Sequence, residues 1–464
     1  TPGSTLPGGL RIEDRDFLGV RSQGMIVCSN EILYGAEHRP GEDIIVLPPG
    51  TGLGLRAQDV LHLDDHVVDL ELTVNYSHCL SILGVAIEVS ALTGSPLRLP
   101  QTLQSWGWAG TRGSVPPACD EEYEGEIRIE LPDRDLCPRY VGKIVRGVSH
   151  AYSPIEYERR LMLAGMRPLS AIVDATNYVM LETGQPLHAF DLDTLSGNVI
   201  SARRSRKGES IVTLDGESHE LSEGTLVIAD AEGPVAVAGV MGGARTEVSA
   251  KTRNLLLESA YFAPLNVRKT SQRLKLRPEA AQRFEKGVDP TAQASVVERL
   301  AVVVVNHCGG VAAPGRADAN LLDVRSKEIR VTARDLQRTL GVPISLKECS
   351  KALASLRFET TAQDDESLTV VVPPRRVDIE QSVDLIEEVA RQYGYDHPSL
   401  EPALLSTVVP GGPPNPEFKR LDSMRDLLVR LGGLEAISTS FLDVPDLRAL
   451  GWGEDDPRGN PVKL

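Results

Sequence analysis

The chain has few aromatic residues, only scattered cysteines and no long apolar run. Aromatic residues make up 4% of its 464 residues, and the six cysteines include no Cys-x-x-Cys pair. That pattern disfavours a zinc site and a disulfide scaffold, and it suits a reducing cytoplasm. The longest aliphatic run, Ala301–Val305, is far too short to span a bilayer. We therefore predict a cytoplasmic protein that does not enter a membrane.

The chain also lacks positive charge, since its formal net charge is −16. Such a chain repels nucleic acid on average, so any contact with RNA must use local basic patches or a partner chain. Its length favours about three or four domains. It begins at Thr1 without a methionine and ends at Leu464 within a charged, loop-like passage. We expect a piece of a longer protein, cut at both ends.

Strand-like and helix-like segments are grouped along the chain, which predicts a multidomain α+β protein. The segments that we predict are a strand-rich region at 1–62, a connector at 63–133, a large α+β domain at 134–315, a compact α+β unit at 325–400, and the start of a further domain at 413–464.

Local signals predict several elements within these segments. Residues 67–74 have the composition of a strand. Ser153-Pro154-Ile155-Glu156 is a capping box with proline at the first helical position, and it predicts a helix ending near Gly165. Residues 289–309 form a long apolar helical pattern, and residues 384–393 form a shorter one. Leu421, Met424, Leu427, Leu428 and Leu431 predict an amphipathic helix after a Pro/Gly linker.

The stretch from Asp174 to Asp191 carries the first candidate site. It brings Thr176, Asn177 and His188 near a Gly184–Pro186 turn signal. Hydroxyl, carboxamide and imidazole groups are what a pocket uses to orient a polar ligand. The alternative is that Thr176-Asn177 forms a cap or an Asx-turn and that His188 is an ordinary hydrogen-bonding residue.

Glu258 is a fourth candidate for the same site. It follows the apolar strand residues Leu255, Leu256 and Leu257. A carboxylate at the end of a buried strand needs a partner, so Glu258 is either ion-paired or functional.

An acidic cluster, Asp378, Asp384, Glu387 and Glu388, is the second candidate site. On a helix that starts at Asp384, positions 384, 387 and 388 share one face. Carboxylate oxygens without histidine or cysteine favour magnesium over zinc. The alternative is a helix cap, because acids at a helix start are stabilised by the backbone dipole.

Two further segments have both a functional and an ordinary interpretation. Ala238–Gly243 lets the backbone approach a ligand closely, or forms a plain turn. Residues 267–286 are locally basic, which suits an RNA backbone or a solvated helical face.

These segments together resemble the β subunit of bacterial phenylalanyl-tRNA synthetase over essentially the whole chain. The segments that carry the resemblance are 6–12 with 24–29, Asn75 with 79–84, 174–191, 239–243, 283–290, 378–395 and 417–443. By this resemblance, residues 1–62 are the end of an OB-fold tRNA-binding domain and 63–133 a B1-type segment with its connector. Residues 134–315 are a B3/B4 editing domain, 325–400 a winged-helix-like B5 domain, and 413–464 the start of an inactive, class II synthetase-like domain.

The resemblance also implies a function. The family's enzyme is a heterotetramer of two α and two β subunits that charges tRNA(Phe), with ATP and phenylalanine chemistry in the α subunit. The β subunit contributes assembly, tRNA contacts and hydrolysis of mischarged tyrosyl-tRNA(Phe). Asp378, Asp384, Glu387 and Glu388 match the family's magnesium positions, described as shared with the α subunit. Thr176, Asn177, His188 and Glu258 match its editing pocket.

Within that pocket we expect Glu258 to accept the phenol proton of a tyrosyl group. His188, Thr176 and Asn177 would place the ester and a water molecule. The group that activates the water stays open, and ribose hydroxyls of the tRNA are an alternative to these side chains.

The chain departs from the family in two places. Tyr76 stands where the family usually has arginine after the residue that matches Asn75. Arg277-Pro278-Glu279 replaces a usual Ser/Thr-rich turn. Two other functions remain open as well: an RNA-binding or assembly module without editing, and a free-standing hydrolase of mischarged tRNA.

Overall fold

The computed structural model describes most of the chain. The described residues are 1–6, 9–27, 31, 47, 50–61, 63–100, 127–322, 327–362, 364, 366–395, 415–439, 441–453 and 456–459. The chain divides into two compact units, residues 1–400 and 401–464. None of the helices among the described residues combines the length and the apolar character that crossing a membrane requires.

The described part of residues 1–62 holds a small hairpin and one short helix. The elements are β1 Arg15–Phe17, β2 Val20–Ser22 and α1 Ala57–Val60. β1 and β2 pair antiparallel around a turn at Leu18 and Gly19. Most of residues 28–49 lies outside the described residues, so the partial OB barrel stays a prediction.

The strand predicted at residues 67–74 is wrong. The segment is described throughout and pairs with no other described strand. Val67, Val68, Leu70 and Val74 are all exposed, so their β-branched composition has no sheet to stabilise. The helix that follows, α2 Ile82–Thr93, begins at Ser81, whose hydroxyl accepts from the Gly84 amide. It ends at Gly94, which has a left-handed backbone.

The central domain is the largest part of the first unit. Its strands and helices are β3 Arg128–Glu130, β4 Arg139–Arg146, α3 Ile155–Leu163, α4 Ala171–Thr183, β5 Leu187–Asp191, β6 Val199–Arg204, β7 Ser210–Val212, β8 Ser218–Glu220, β9 Leu226–Ala229, β10 Pro234–Val237, β11 Met241–Gly242, β12 Asn254–Tyr261, α5 Pro264–Leu274, α6 Glu279–Lys286, α7 Gln293–Cys308, β13 Val311–Ala312 and β14 Ala317–Asn320.

Two five-stranded sheets divide these strands. One has the order β11-β10-β9-β6-β3, and the other has the order β13-β4-β12-β5 with β14 also paired to β4. One apolar core joins the first sheet to one face of the second, through residues such as Tyr140, Phe190 and Leu256. The opposite face of the second sheet packs against α4 and α7, through residues such as Ala175 and Val297. The second sheet is therefore covered on both faces.

Two helix starts differ from the sequence prediction. α3 begins after Pro154 rather than at it, because the Ser153 hydroxyl is donated to Asp174 Oδ2 instead of capping the helix. α7 begins at Gln293, since Asp289 Oδ1 accepts from the amide and hydroxyl of Thr291 and holds a local turn.

The last domain of the first unit is a small three-stranded sheet packed against helices. Its elements are β15 Lys327–Thr332, α8 Ala333–Leu340, α9 Leu346–Ser355, β16 Glu359–Ala362, β17 Ser367–Val372 and α10 Ser382–Tyr393. The strand order is β15-β17-β16, all antiparallel. Leu336, Leu353, Val370 and Leu385 belong to its core. The compact α+β prediction for this region is confirmed.

The second unit contains α11 Pro416–Arg430 and α12 Val444–Ala449. The predicted amphipathic helix is present as α11, and its apolar side chains, including Leu421, Met424 and Leu427, are exposed. The assignment of this unit to a synthetase-like domain stays a prediction.

Candidate functional site

Two of the predicted site residues meet on neighbouring strands. Glu258 lies on β12 and His188 on β5, and the two are direct partners in the antiparallel register. Side chains of direct partners lie on the same face of a sheet, a few ångströms apart. Both therefore point toward the core between the two sheets, as Phe190 does two residues after His188.

Glu258 has a partner that the sequence did not indicate. The Tyr140 hydroxyl, on β4 at the other side of β12, donates to Glu258 Oε2 over 2.7 Å. Tyr140 is fully buried, whereas Glu258 keeps 8% of its surface exposed. Glu258 Oε1 makes no hydrogen bond with any described residue. The carboxylate is thus held at one oxygen and free at the other.

Burial sets the ionisation of this group of side chains. It raises the pKa of Glu258 to about 7, although the hydrogen bond from Tyr140 lowers it. Burial also lowers the pKa of His188 to about 4, and raises the pKa of Tyr140 well above its ordinary value. At neutral pH the imidazole and the phenol are uncharged, and Glu258 is the group that changes its charge.

Gly242 makes room for the His188 ring. A Cβ at position 242 would lie 2.7 Å from His188 Cε1 and 3.0 Å from Nε2. Gly242 ends β11, in the other sheet, so the ring lies against the backbone of the facing sheet. The glycine-rich segment at 238–243 therefore serves close approach, which was one of its two predicted roles.

Thr176 and Asn177 are placed on α4, which packs on the outer face of the second sheet. The Thr176 hydroxyl is donated to the Val173 carbonyl oxygen. No hydrogen bond joins either residue to His188 or Glu258 among the described residues. The structure brings together two of the four predicted editing residues, and the role of the other two stays a prediction.

The acidic cluster is organised around arginines. The Arg376 guanidinium binds Asp378 in two hydrogen bonds, and a third joins it to Glu388 Oε2 over 2.9 Å. Arg391 donates to the same Glu388 oxygen over 2.6 Å. Glu388 is 1% exposed on its side chain and Arg376 is 2% exposed. A buried ion-pair network therefore accounts for two of the four predicted magnesium ligands.

Tyr76, the departure from the family pattern, belongs to the same network. Its hydroxyl donates to Glu388 Oε1 over 3.2 Å. The guanidinium groups of Arg376 and Arg391 lie 5.9 and 5.3 Å from its ring centre. Arg391 also pairs with Glu88 on α2. The network joins the residues around α2 to the domain that holds α10.

The remaining two acids have free oxygens. Asp384 accepts from the Glu380 and Gln381 amides through Oδ2. The helix begins at Ser382, so Asp384 is its third residue and part of a capping box, rather than the predicted first residue of the helix. Glu387 is exposed and receives only a long hydrogen bond from Tyr76. Because both oxygens of Glu388 are engaged, it does not fit a metal, whereas Asp384 and Glu387 each keep an oxygen that can ligate one.

A different group of side chains has the spacing of metal ligands. One ligand atom each from His78, Cys79 and Glu88 lies within 4.8 Å of the others. Burial, however, raises the pKa of Cys79 to about 12, so the thiol stays protonated. Glu88 is already paired with Arg391 and with His78 Nε2. This group does not fit a metal ion, because a bound cation would have to displace an arginine.

A cavity of about 30 Å³ lies where several segments of the first unit meet. Its lining includes Ser77, Gln185, Asp289 and Arg375. This volume suits about one water molecule, so the cavity does not serve an aminoacyl group. Neither His188 nor Glu258 lines it.

Comparison with known proteins agrees with this architecture. A model of the B3/4 domain matches residues 136–309, and a model of the tRNA synthetase B5 domain matches residues 329–395. These limits fall inside the central domain and the last domain of the first unit. Both fall within the ranges predicted from sequence, 134–315 and 325–400.

The relatives of the chain share one description. The phenylalanine–tRNA ligase beta subunit of Carboxydothermus hydrogenoformans is 39% identical over 466 residues, which cover 100% of this chain and 56% of the relative. That of Moorella thermoacetica is 40% identical over 467 residues, covering 100% and 56%. That of Bacillus cereus is 39% identical over 446 residues, covering 95% and 53%. The chain spans about half the length of these relatives.

A solved structure is similar to part of the chain. It is an N-terminal fragment of the phenylalanyl-tRNA synthetase beta subunit of Pyrococcus horikoshii, 16% identical, with a TM-score of 0.35. The match covers 69% of this chain and 85% of the fragment. At that score the likeness carries no conclusion about the fold.

Proposed function

The chain is homologous along its whole length to phenylalanine–tRNA ligase beta subunits, and on this premise we propose that its central domain hydrolyses mischarged tyrosyl-tRNA(Phe). The observation that carries the proposal is Glu258: a buried carboxylate with one oxygen fixed by Tyr140 and the other free. A free acceptor in an otherwise apolar site is what recognition of a phenol requires.

The physical need for such a site follows from the substrates. Tyrosine is phenylalanine plus one hydroxyl, and a hydrophobic pocket rejects such an isostere by only about a hundredfold. A second site that hydrogen-bonds the phenol inverts the preference. Phenylalanine would leave the buried acceptor unpaired, at about 1–3 kcal/mol. Glu258 therefore selects the wrong amino acid for removal.

His188 has a positioning role in this proposal. Its lowered pKa makes it a neutral hydrogen-bonding group near pH 7 rather than a cation. Its ring is confined between the Glu258 strand and Gly242, so it can orient the ester or a water molecule beside the carboxylate. The resemblance assigns Thr176 and Asn177 to the same pocket, but they lie on α4, which packs on the opposite face of the second sheet, so no contact is proposed for them.

The wider role is proposed from the names of the relatives. The chain would serve as a β subunit that supports ATP-dependent charging of tRNA(Phe) by an α subunit, in a cytoplasmic heterotetramer. Exposed basic residues on and after α5, including Arg268, Lys269 and Lys275, offer a local patch for the tRNA backbone in an acidic chain. A magnesium ion shared with the α subunit would use Asp384 and Glu387, each of which keeps one oxygen without a hydrogen bond from a described residue.

Hydrolysis of tyrosyl-tRNA(Phe) by the purified chain, alone and with an α subunit, tests the proposal. Glu258→Gln keeps the size of the side chain but removes the anionic acceptor, and we expect it to lower tyrosyl-tRNA hydrolysis at least about tenfold. We expect His188→Ala to have a similar effect. Matched controls are Glu217→Gln and His150→Ala, which change exposed residues of the same domain.

The outcomes separate the candidate functions. Wild-type hydrolysis in both site variants would exclude this pocket. No hydrolysis by any form, with tRNA binding retained, would favour the binding or assembly module. Full hydrolysis without the α subunit would favour a free-standing hydrolase.

A further inference from the structure

Tyr140 donates a hydrogen bond to Glu258, and no sequence signal marked it. We propose that Tyr140 is a positioning residue that directs a single Glu258 oxygen toward the phenol of a tyrosyl group, and that it thereby sets the selectivity for tyrosine over phenylalanine. This inference rests on the proposed editing function and adds a determinant to it.

The geometry fixes the carboxylate from one side. Tyr140 lies on β4, diagonal to Glu258, because the direct partner of Glu258 in that pair of strands is Gly142. Its ring is fully buried in the core between the two sheets, so the hydroxyl has little freedom. The 2.7 Å bond to Oε2 therefore restrains rotation of the carboxylate.

The opposite side of Glu258 faces His188 and has no second hydrogen-bond donor among the described residues. The direct partner there is His188, and Gly242 leaves space for the imidazole ring. Oε1 makes no hydrogen bond with a described residue. A substrate phenol that donates to Oε1 would give both carboxylate oxygens a hydrogen bond, because Tyr140 donates to Oε2.

Tyr140 also controls the charge of the acceptor. Among the described residues, three titratable side chains beside Glu258 are uncharged near pH 7: the phenol of Tyr140 on β4, the thiol of Cys137 just before β4, and the imidazole of His188 on β5. Burial raises the pKa of Glu258 to about 7 and the Tyr140 hydroxyl opposes that rise. Without the hydroxyl, the carboxylate would form only at higher pH.

The test is a pH profile of tyrosyl- and phenylalanyl-tRNA(Phe) hydrolysis for the wild-type chain and for Tyr140→Phe, in the assembly with an α subunit. We expect wild-type selectivity for tyrosine to rise through pH ~7. In Tyr140→Phe we expect the midpoint to move up by about one pH unit. Hydrolysis of tyrosyl-tRNA near pH 7 would then fall on the order of tenfold, mostly through KM, and recover at higher pH.

The control is Tyr157→Phe, which removes a tyrosine hydroxyl of the same domain that has no contact with Glu258. A second measurement does not depend on activity. Infrared spectra at a series of pH values follow the band of the protonated Glu258 carboxyl group, which is assigned by its loss in Glu258→Gln. We expect the midpoint of this band to move to higher pH in Tyr140→Phe. If the phenylalanine variant does not fold, a ring-fluorinated tyrosine at position 140 donates more strongly, and the midpoint should move to lower pH.

The outcomes separate this inference from the editing function. If Tyr140→Phe keeps the wild-type midpoint and selectivity while Glu258→Gln loses hydrolysis, Tyr140 is only a core residue and the inference is overturned. If Glu258→Gln itself hydrolyses normally, the editing function fails, and Tyr140 then has no selectivity to set.

Discussion

At the scale of single residues, the central domain combines two opposite pKa shifts in one contact. Burial favours the protonated form of Glu258 and the unprotonated form of His188, so each neutral form is stabilised. The two are direct partners across neighbouring strands. Because both side chains are buried, both are uncharged at slightly acidic pH. Above pH ~7 Glu258 carries a negative charge and His188 stays neutral.

These shifts predict how stability depends on pH. The pKa of folded Glu258, about 7, lies above its ordinary value of 4.5, so its contribution is present at low pH and is lost as pH rises from about 4.5 to 7. The pKa of folded His188, about 4, lies below its ordinary value of 6.5. Its contribution is therefore lost as pH falls through that window. The two contributions oppose each other.

Replacing one partner removes one of these contributions. As pH rises from 4.5 to 7, the unfolding free energy of Glu258→Gln should rise by on the order of 3 kcal/mol relative to that of the wild type. As pH rises from 4 to 6.5, the unfolding free energy of His188→Gln should fall by a similar amount relative to that of the wild type. Urea unfolding at a series of pH values measures both differences. Curves that run parallel to the wild type in both variants would contradict the assignment of these groups as buried and ionisable.

At the scale of elements, both ion pairs and apolar packing hold α10 in position. Leu385, Ile386 and Val389 pack into the core of the last domain of the first unit. On the same helix, Glu388 accepts from Arg376 in the loop before the helix and from Arg391 one turn later. Arg391 reaches Glu88 on α2, so the helix joins two segments of the chain.

We predict that Arg376→Met destabilises the first unit by about 3–5 kcal/mol, because it leaves the buried carboxylate of Asp378 without its cation and Glu388 with Arg391 alone. Denaturant unfolding measures the change, and hydrogen exchange of α2 reports whether its docking is lost. The matched control is Glu387→Gln, since Glu387 is exposed and adjacent in sequence. If Arg376→Met lowers the unfolding free energy by less than about 1 kcal/mol, the network contributes no more than an exposed salt bridge does.

At the scale of the whole molecule, the chain is acidic, with a formal net charge of −16, and exposed basic residues such as Arg268, Lys269 and Lys275 lie on and after α5. It has homologues that are beta subunits, of which it covers about half. The α subunit and tRNA(Phe) are therefore the proposed partners, and two acids with free oxygens, Asp384 and Glu387, are the proposed place of a shared magnesium ion.

Light scattering of the chain mixed with a bacterial phenylalanyl α subunit tests this assembly. We expect a mixed oligomer whose mass falls when magnesium is chelated, and whose formation is weakened by Asp384→Asn together with Glu387→Gln. The amide oxygen in Asp384→Asn can still accept from the Gln381 amide as the carboxylate does, so the helix start is retained. If neither chelation nor this double variant changes the mass of the oligomer, Asp384 and Glu387 do not hold a magnesium ion that the assembly requires.

The sequence by itself determined the features that depend on neighbouring residues. The helix end near Gly165 follows from local signals and is present, and the helix predicted at 384–393 is present but begins two residues earlier, at Ser382. The family resemblance extended this to the B3/4 and B5 domains. The unpaired segment at 67–74 shows the limit, because a strand-like composition needs a partner strand that local sequence does not specify.

Only the tertiary structure decided which side chains meet. Tyr140 and Glu258 are 118 positions apart, and Tyr76 and Glu388 are 312 apart. Their contacts depend on strand register and on which faces two domains bury against each other. The sequence marked Glu258 as an acid in need of a partner, and Glu388 as a candidate magnesium ligand. The fold supplied a phenol to one and two guanidinium groups to the other, because burial of a carboxylate is tolerated only where a donor from a distant segment arrives beside it.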